Sequence, residues 1–355
     1  MGPGGLAGGG DRPCRAHLVV AARDSRNGRS GPLRRDGCHF VTADPPVRGH
    51  RVRIGFGFGG STRQTGTYDV GPGGHGLLGS VVADLERLGY DSLWVSERAT
   101  GQTLDPMVAM AYAAGCTERL KLGPAVLVLP GRNPVLCAKA MASLDRLSGG
   151  RLLPAFGLGI ADAAEQQAFG VARADRAGWF DEALPLIRRL WTEDVVDHHG
   201  PRFHLDGVSV LPKPLQQPLE VWLGGSAASE LRRCGRLGDG WLPSFIDPAG
   251  VASGIATITE VADDHGRHIE PGHFGALVPF VHRTIPERFA QRLRSRRPQV
   301  DLTEVVATGV GGLRVRLDEL VSAGASKFVI FPLDEPDDWH ATIEDVATEV
   351  LHLQS

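Results

Sequence analysis

One three-part phrase recurs along the 355-residue chain: an amphipathic helix, a glycine, then a short apolar strand. Leu77, Val81, Leu85 and Leu88 are spaced by four, four and three, one face of a helix that stops at Gly89 before a strand from Ser92 to Ser96. Leu136, Ala140, Leu144 and Leu147 precede Gly149 and a strand from Arg151 to Gly157, and Leu313, Leu317, Leu320 and Val321 precede Gly324 and a strand from Lys327 to Pro332. The opposite corners share a second device. Asp105-Pro106, Asn133-Pro134 and Asp247-Pro248 each offer an Asx side chain to the free N–H groups of a helix whose first position suits proline. This alternation is the signature of βα units on a parallel sheet. Strands expected near 52–58, 92–97, 120–129, 151–159, 219–224, 239–245, 273–282 and 327–332 make eight, a count that predicts a closed α/β barrel over an open sheet. Two stretches interrupt the rhythm. Residues 195–218 read as a hairpin and proline-rich link between helix four and strand five, and residues 283–312 as an arginine-rich helical addition after strand seven.

Residues 1–51 are of another texture, dominated by glycine, arginine and proline, and bury too little apolar surface to offset chain entropy. They are expected to be a disordered extension, either a basic arm or an upstream continuation of the reading frame, with one folded domain over 52–355. Charged residues make up 22 % and the formal net charge is -3, so no basic footprint points to nucleic acid and a small-molecule partner is favoured. The five cysteines are odd in number and form no CxxC pair, which argues against a disulfide framework and a zinc site and suits a reducing cytoplasm. The sequence has no run of about 18 apolar residues to span a membrane and no apolar middle of a signal peptide at its start, so a soluble, cytoplasmic protein is expected.

The corner Gly224-Gly225-Ser226 ends a short apolar run and opens a helix. In parallel α/β folds ligands sit at such strand C-termini. The two glycines let a ligand approach the backbone, Ser226 offers a cap, and the free N–H groups of the first helical turn favour an anion such as phosphate. An ordinary turn is the competing reading. Gly55, Gly57 and Gly60 satisfy G-x-G-x-x-G in letters, but no helix opens there and no acid ends a second strand at the required distance, so a Rossmann site is rejected. Gly55 to Gly60 are expected to end strand one, with residues 62–75 forming part of the mouth. His198, His199 and His204 read as a surface hairpin and not as a metal site, since adjacent residues point to opposite sides of a strand.

Three further stretches carry chemistry. Glu97 and Arg98 end strand two, where Glu97 can hold a polar ligand edge and Arg98 can stabilise developing negative charge, or where both form an ion pair at the rim. Gly123-Pro124 predicts a bulge in strand three that aims Ala125, Val126 and Leu127 inward as an apolar wall for a flat ring, unless the proline only punctuates the strand start. Gly157 and Gly159 bracket the end of strand four and leave space in the mouth. Asp162 and Glu165 follow as proton donors or as helix N-terminal charges.

These residues resemble the luciferase-like monooxygenase superfamily, in particular its branch using the deazaflavin coenzyme F420. The matching segments are LGYDSLWVSER (88–98), residues 122–170, WFDEALPLIRRLW (179–191), LEVWLGGSAASELRRCGRLGDGWLP (219–243) and residues 309–333. The resemblance implies a (β/α)8 TIM barrel of the bacterial luciferase-like type, with insertions after helix 4 and strand 7. It places a flavin or deazaflavin at the C-terminal mouth, and dimers are common among similar proteins. In similar enzymes a non-prolyl cis peptide in the third strand backs the ring; its counterpart is Ala125–Val126. The phosphate falls on the Gly-Gly loop, here Gly224, Gly225 and Ser226, with Gly157 and Gly159 lining the cofactor site. In the F420-dependent sugar-phosphate dehydrogenases an Asp-His pair ends strand two and a Glu follows strand four; those places hold Glu97, Arg98 and Asp162. Arginine cannot serve as a base near neutral pH, so reduction of an activated double bond or imine is expected in preference to alcohol dehydrogenation by that route. The expected activity is hydride transfer between F420 and a small organic substrate. A reduced-FMN monooxygenase is the alternative, and a flavin-binding sensor without catalysis a third.

Overall fold

The computed structural model describes residues 51–59 and 76–355. The expected disordered extension, but for Arg51, and the expected mouth loop at 62–75 lie outside the described residues.

The elements follow in the order β1 (Arg53–Phe58), α1 (Gly76–Leu88), β2 (Ser92–Val95), α2 (Pro106–Cys116), β3 (Lys121–Pro124), β4 (Leu127–Val128), α3 (Pro134–Leu147) and β5 (Ala155–Gly157). Then come α4 (Ala163–Phe169), α5 (Arg176–Thr192), β6 (Val196–His199), β7 (His204–Val208), β8 (Trp222–Leu223), α6 (Ala228–Leu237), β9 (Gly240–Trp241) and α7 (Pro248–Asp264). The chain closes with β10 (Gly275–Val281), α8 (Glu287–Arg296), α9 (Leu302–Val305), β11 (Ala307–Thr308), α10 (Gly309–Ser322), β12 (Lys327–Pro332) and α11 (Trp339–Val350). Every expected strand position holds a strand. One sheet runs β11-β10-β12-β1-β2-β3 and a second β4-β5-β8-β9, and all neighbours in both are parallel. Isolated parallel bridges join β3 to the segment leading into β5 (Leu122 to Leu152) and the β9 region to the β10 region (Trp241 to Phe274, Ser244 to Leu277). The expected hairpin is the antiparallel pair β6–β7. Among the described residues no helix is long and apolar enough to cross a membrane.

The three Asx-Pro corners act as local chemistry dictates. Asp105 accepts from the N–H groups of Met107 and Val108, Asn133 from Val135 and Leu136, and Asp247 from Gly250, each with proline in the first turn. Helices α1 and α10 bury the expected faces, Val81 and Leu85 in one, Leu313, Leu317 and Leu320 in the other. Helix α3 does not. Leu136 and Leu147 are 69 % and 77 % exposed, and the buried face is Cys137, Ala138, Met141, Leu144 and Asp145. Small residues there admit α5 closely enough for the Trp191 indole N–H to reach the Ala138 carbonyl at 3.0 Å. Asp145, buried, accepts from the N–H groups of Leu215 and Gln216 and so ties the proline-rich link onto α3.

Strand three breaks later than expected. Gly123 and Pro124 lie in regular register with Trp94 and Val95, and the interruption falls between Pro124 and Leu127, where the Ala125–Val126 peptide is cis. Gly123 serves packing: a Cβ there would stand 2.5 Å from the Trp94 ring. Trp94, Trp222, Leu242 and Val329 form an inner cluster between the strands. At the base of β12 the buried ammonium of Lys327 meets Asp91 at 2.8 Å, and Lys121 reaches the other carboxylate oxygen at 2.9 Å.

Candidate functional site

The C-terminal ends of β2, β4, β5 and β8 carry the residues singled out above, and the structure sorts them into three groups. Val126, half-buried, is the centre of the first. A Cβ at Gly157 would lie 2.5 Å from Val126 Cγ2, and one at Gly224 would lie 3.2 Å from Val126 Cγ1. The two glycines therefore accommodate the valine of the wall, a correction to the expectation that Gly157 leaves open space in the mouth. Ala125 is half-buried beside it and Leu127 points into the core. Gly159, at φ +77°, would crowd Val128, and the loop around it is held by buried Arg176, which donates to the Leu158 and Ile160 carbonyls.

Glu97 and Arg98 do not pair with each other. Glu97 accepts from the Val128 N–H at 2.6 Å and is paired with Arg132, whose Nε donates to the Val128 carbonyl. The carboxylate thus clamps β4 directly after Val126. Its burial raises its pKa above the ordinary value, more than Arg132 and the Val128 N–H lower it. Arg98 instead reaches Glu165 at 3.4 Å. Glu165 also accepts from Thr100 Oγ1 at 2.6 Å and from the N–H groups of Thr100 and Ala99. Burial opposes its ionisation, but the Thr100 and Ala99 hydrogen bonds and Arg98 outweigh it and hold the carboxyl below its usual value. Asp162 caps the same helix, α4, accepting from the N–H groups of Ala164 and Glu165. Arg98 and Glu165 are therefore brought together, with Glu165 as the clamp on residues 98–100, while Asp162 caps the helix that carries Glu165. Glu165→Ala should lower unfolding free energy by about 2 kcal/mol in urea denaturation, the loss of one charged acceptor serving several donors.

The third group is the Gly-Gly corner. Gly225 sits at φ +101°, where a side chain is strained. Helix α6 begins at Ala228 with Ala227 as N-cap, so Ser226 does not cap it. A carboxylate from inside the helix takes that place: Glu230 Oε2 accepts from the Ser226 N–H at 3.0 Å and the Ala227 N–H at 2.9 Å. The corner's backbone donors thus already hold an anionic group. Ser226 Oγ accepts from Arg297, whose Nη1 donates to the Ser244 carbonyl at 2.9 Å. Beside it a cavity of about 240 Å³ opens between Ser226, Trp241, Phe245, Asp247 and Arg297. Arg132, Arg297 and Glu230 were missed from sequence. Only Glu230 had a local signal, an acid three residues into a helix whose N-terminus lacks a capping side chain.

Parallel strands end here at a glycine-rich corner whose backbone donors hold a carboxylate of the chain itself, at the strand ends where ligands sit in parallel α/β folds. The chain belongs to the luciferase-like monooxygenase family, whose family model matches residues 56–308. It is 30 % identical over 177 residues to an F420-dependent glucose-6-phosphate dehydrogenase of Kineococcus radiotolerans, covering 47 % of this chain and 52 % of that protein. It is 28 % identical over 206 residues to a phthiodiolone/phenolphthiodiolone dimycocerosates ketoreductase of Mycobacterium bovis, covering 57 % and 53 %. The chain thus spans about half the length of these relatives. In fold it is similar to an F420-dependent secondary alcohol dehydrogenase solved with an F420–acetone adduct, at a TM-score of 0.70 and 19 % identity over 86 % of this chain and all of that one. A coenzyme F420-dependent tetrahydromethanopterin reductase from Methanopyrus kandleri gives 0.68 at 18 % identity, over 86 % and 100 %.

Proposed function

We propose that the chain is an F420-dependent oxidoreductase that reduces a small organic substrate, built as a closed (β/α)8 barrel over 52–355 with the β6–β7 hairpin and the α8–α9 segment as additions. The barrel reading is supported by the bridges that join the two parallel sheets at both ends. The cofactor reading rests on one observation: the donors of Ser226 and Ala227 already hold a carboxylate, and Gly224 of the same corner adjoins Val126. An anion site and an apolar wall so placed fit a phosphate tail and a ring.

When bound, the deazaflavin supplies the hydride. The protein's own part is to hold and to polarise. Gly224, Gly225 and Ser226 would grip the phosphate, Gly157 and Gly159 would line the site, and Ala125 and Val126 would back the ring and exclude water. Glu97 positions that wall through Val128 and Arg132. Arg98, fixed in direction by Glu165, stabilises negative charge on the substrate, and Asp162, at the N-terminus of the helix that carries Glu165, is the candidate proton donor. Arg98 itself cannot serve as a base near neutral pH, which disfavours alcohol oxidation through that position, and one relative is named a ketoreductase.

The test is a turnover assay with reduced F420 against α,β-unsaturated ketones, imines and ketones, run beside oxygen uptake with reduced FMN. Substrate-dependent oxidation of the deazaflavin without oxygen consumption is expected. Oxygen uptake with FMN and no F420 turnover would replace the reading with a monooxygenase. Arg98→Met should lower kcat by about 10²-fold with little change in cofactor affinity, as expected for loss of a charge-stabilising group.

A further inference from the structure

Glu230 stands where a ligand's anion is needed, and a second feature lies beside it. A small cavity of about 10 Å³, room for one water, is lined by Phe156, Leu223, Gly224, Glu230 and Arg233. Arg233 has a side chain only 7 % exposed; its Nε is held by Asp181 at 2.6 Å and it lies over the Phe180 ring, yet its Nη1 has no hydrogen-bond partner. A buried guanidinium N–H left unpaired is costly and rare. Glu230 and Arg233 are three residues apart on α6, a spacing that puts side chains on one face.

We propose that Glu230 is a resident competitor anion: it occupies the Ser226 and Ala227 donors in the free protein and moves to the vacant Nη1 of Arg233 when a phosphate-bearing ligand takes them. The inference rests on the corner being the cofactor's phosphate site. Its physical basis is that one pair of N–H groups cannot serve a carboxylate and a phosphate at once, and that two adjacent anions repel strongly at a partly buried site. Arg233 gives the displaced carboxylate a charged partner already desolvated. Corner and helix thereby admit a ligand with a phosphate only against a built-in cost, so the phosphate contributes less affinity than an empty cradle would yield.

The experiment compares F420 and FMN with their phosphate-free counterparts, the deazaflavin analogue of riboflavin and riboflavin, by fluorescence titration on wild type, Glu230→Gln and Arg233→Met. The thermal shift produced by inorganic phosphate is followed in parallel, and circular dichroism checks the fold. Glu230→Gln should tighten the phosphorylated ligands by about tenfold, leave the phosphate-free ones unchanged, and enlarge the phosphate-induced shift. Arg233→Met should weaken only the phosphorylated ligands, and it decides the matter if Glu230→Gln does not fold. Folded variants that keep the wild-type ratio of phosphorylated to phosphate-free affinity would overturn the proposal. A larger phosphate shift in Glu230→Gln, with no cofactor bound by any of the proteins, would uphold the competition and overturn the cofactor reading instead.

Discussion

Gly225→Asp will lose F420 binding by at least about 10²-fold, and Gly225→Ala by about tenfold. Two effects add. The residue sits at φ +101°, which an L side chain adopts only at a cost of about 1–2 kcal/mol. A Cβ there would also lie 2.5 Å from the Glu230 carboxylate in the free protein, so that side chain must give way even for alanine. Aspartate adds a negative charge against the phosphate, and the difference between the two variants isolates that electrostatic part. Fluorescence titration measures both affinities, and urea denaturation separates them from the loss of stability. Equal affinity in wild type and Gly225→Asp would place the phosphate elsewhere.

Asp91→Ala will destabilise the fold by about 3–5 kcal/mol, the largest stability effect expected of a single residue here. Lys327 is 1 % exposed and its ammonium meets Asp91 at 2.8 Å, with the Trp222 ring on another side. Removing the carboxylate leaves that charge buried without an anion. The double variant Asp91→Ala, Lys327→Met should recover much of the loss, because the cost lies in the orphaned charge and not in the absent pair. The same site makes stability acid-sensitive. Burial raises the Asp91 pKa, but Lys327 and Lys121 lower it by more, so the carboxyl is held well below its ordinary value. A depressed carboxyl stabilises the fold fully above the unfolded-chain pKa, near about 3.9, and the contribution is lost as pH falls below it. Urea midpoints measured downward from pH 5 should fall in wild type and fall less steeply in the double variant.

The parts of the fold legible in the sequence are those set by neighbouring residues. Asp105, Asn133 and Asp247 cap because an Asx oxygen reaches the N–H groups two or three residues on, whatever the rest of the chain does. Strand positions follow from apolar runs bounded by glycine. The buried face of α3 was not legible, because Ala138 and Met141 are selected by the approach of α5, while Leu136 and Leu147 look hydrophobic and end outside. The sequence puts the break in strand three at Gly123-Pro124, but Gly123 answers to the Trp94 ring across the ladder. At the site, the positions of Val126, Gly157 and Gly224 were readable as a group through resemblance, whereas their mutual packing was not. The clamps Glu97 to Arg132 and Glu165 to Arg98 join residues 35 and 67 positions apart, beyond any local pattern. Glu230 does carry a local signal, since an acid at the third helical position answers a missing cap, although Ser226 competes with it as the cap in the sequence.

A corner and wall built as proposed hold a phosphorylated deazaflavin. Fluorescence titration of the purified chain with F420 and, separately, with FMN tests it most directly. Saturable binding of F420 at one site per chain, tighter than FMN, is expected; tight FMN binding with negligible F420 binding would rule the deazaflavin site out.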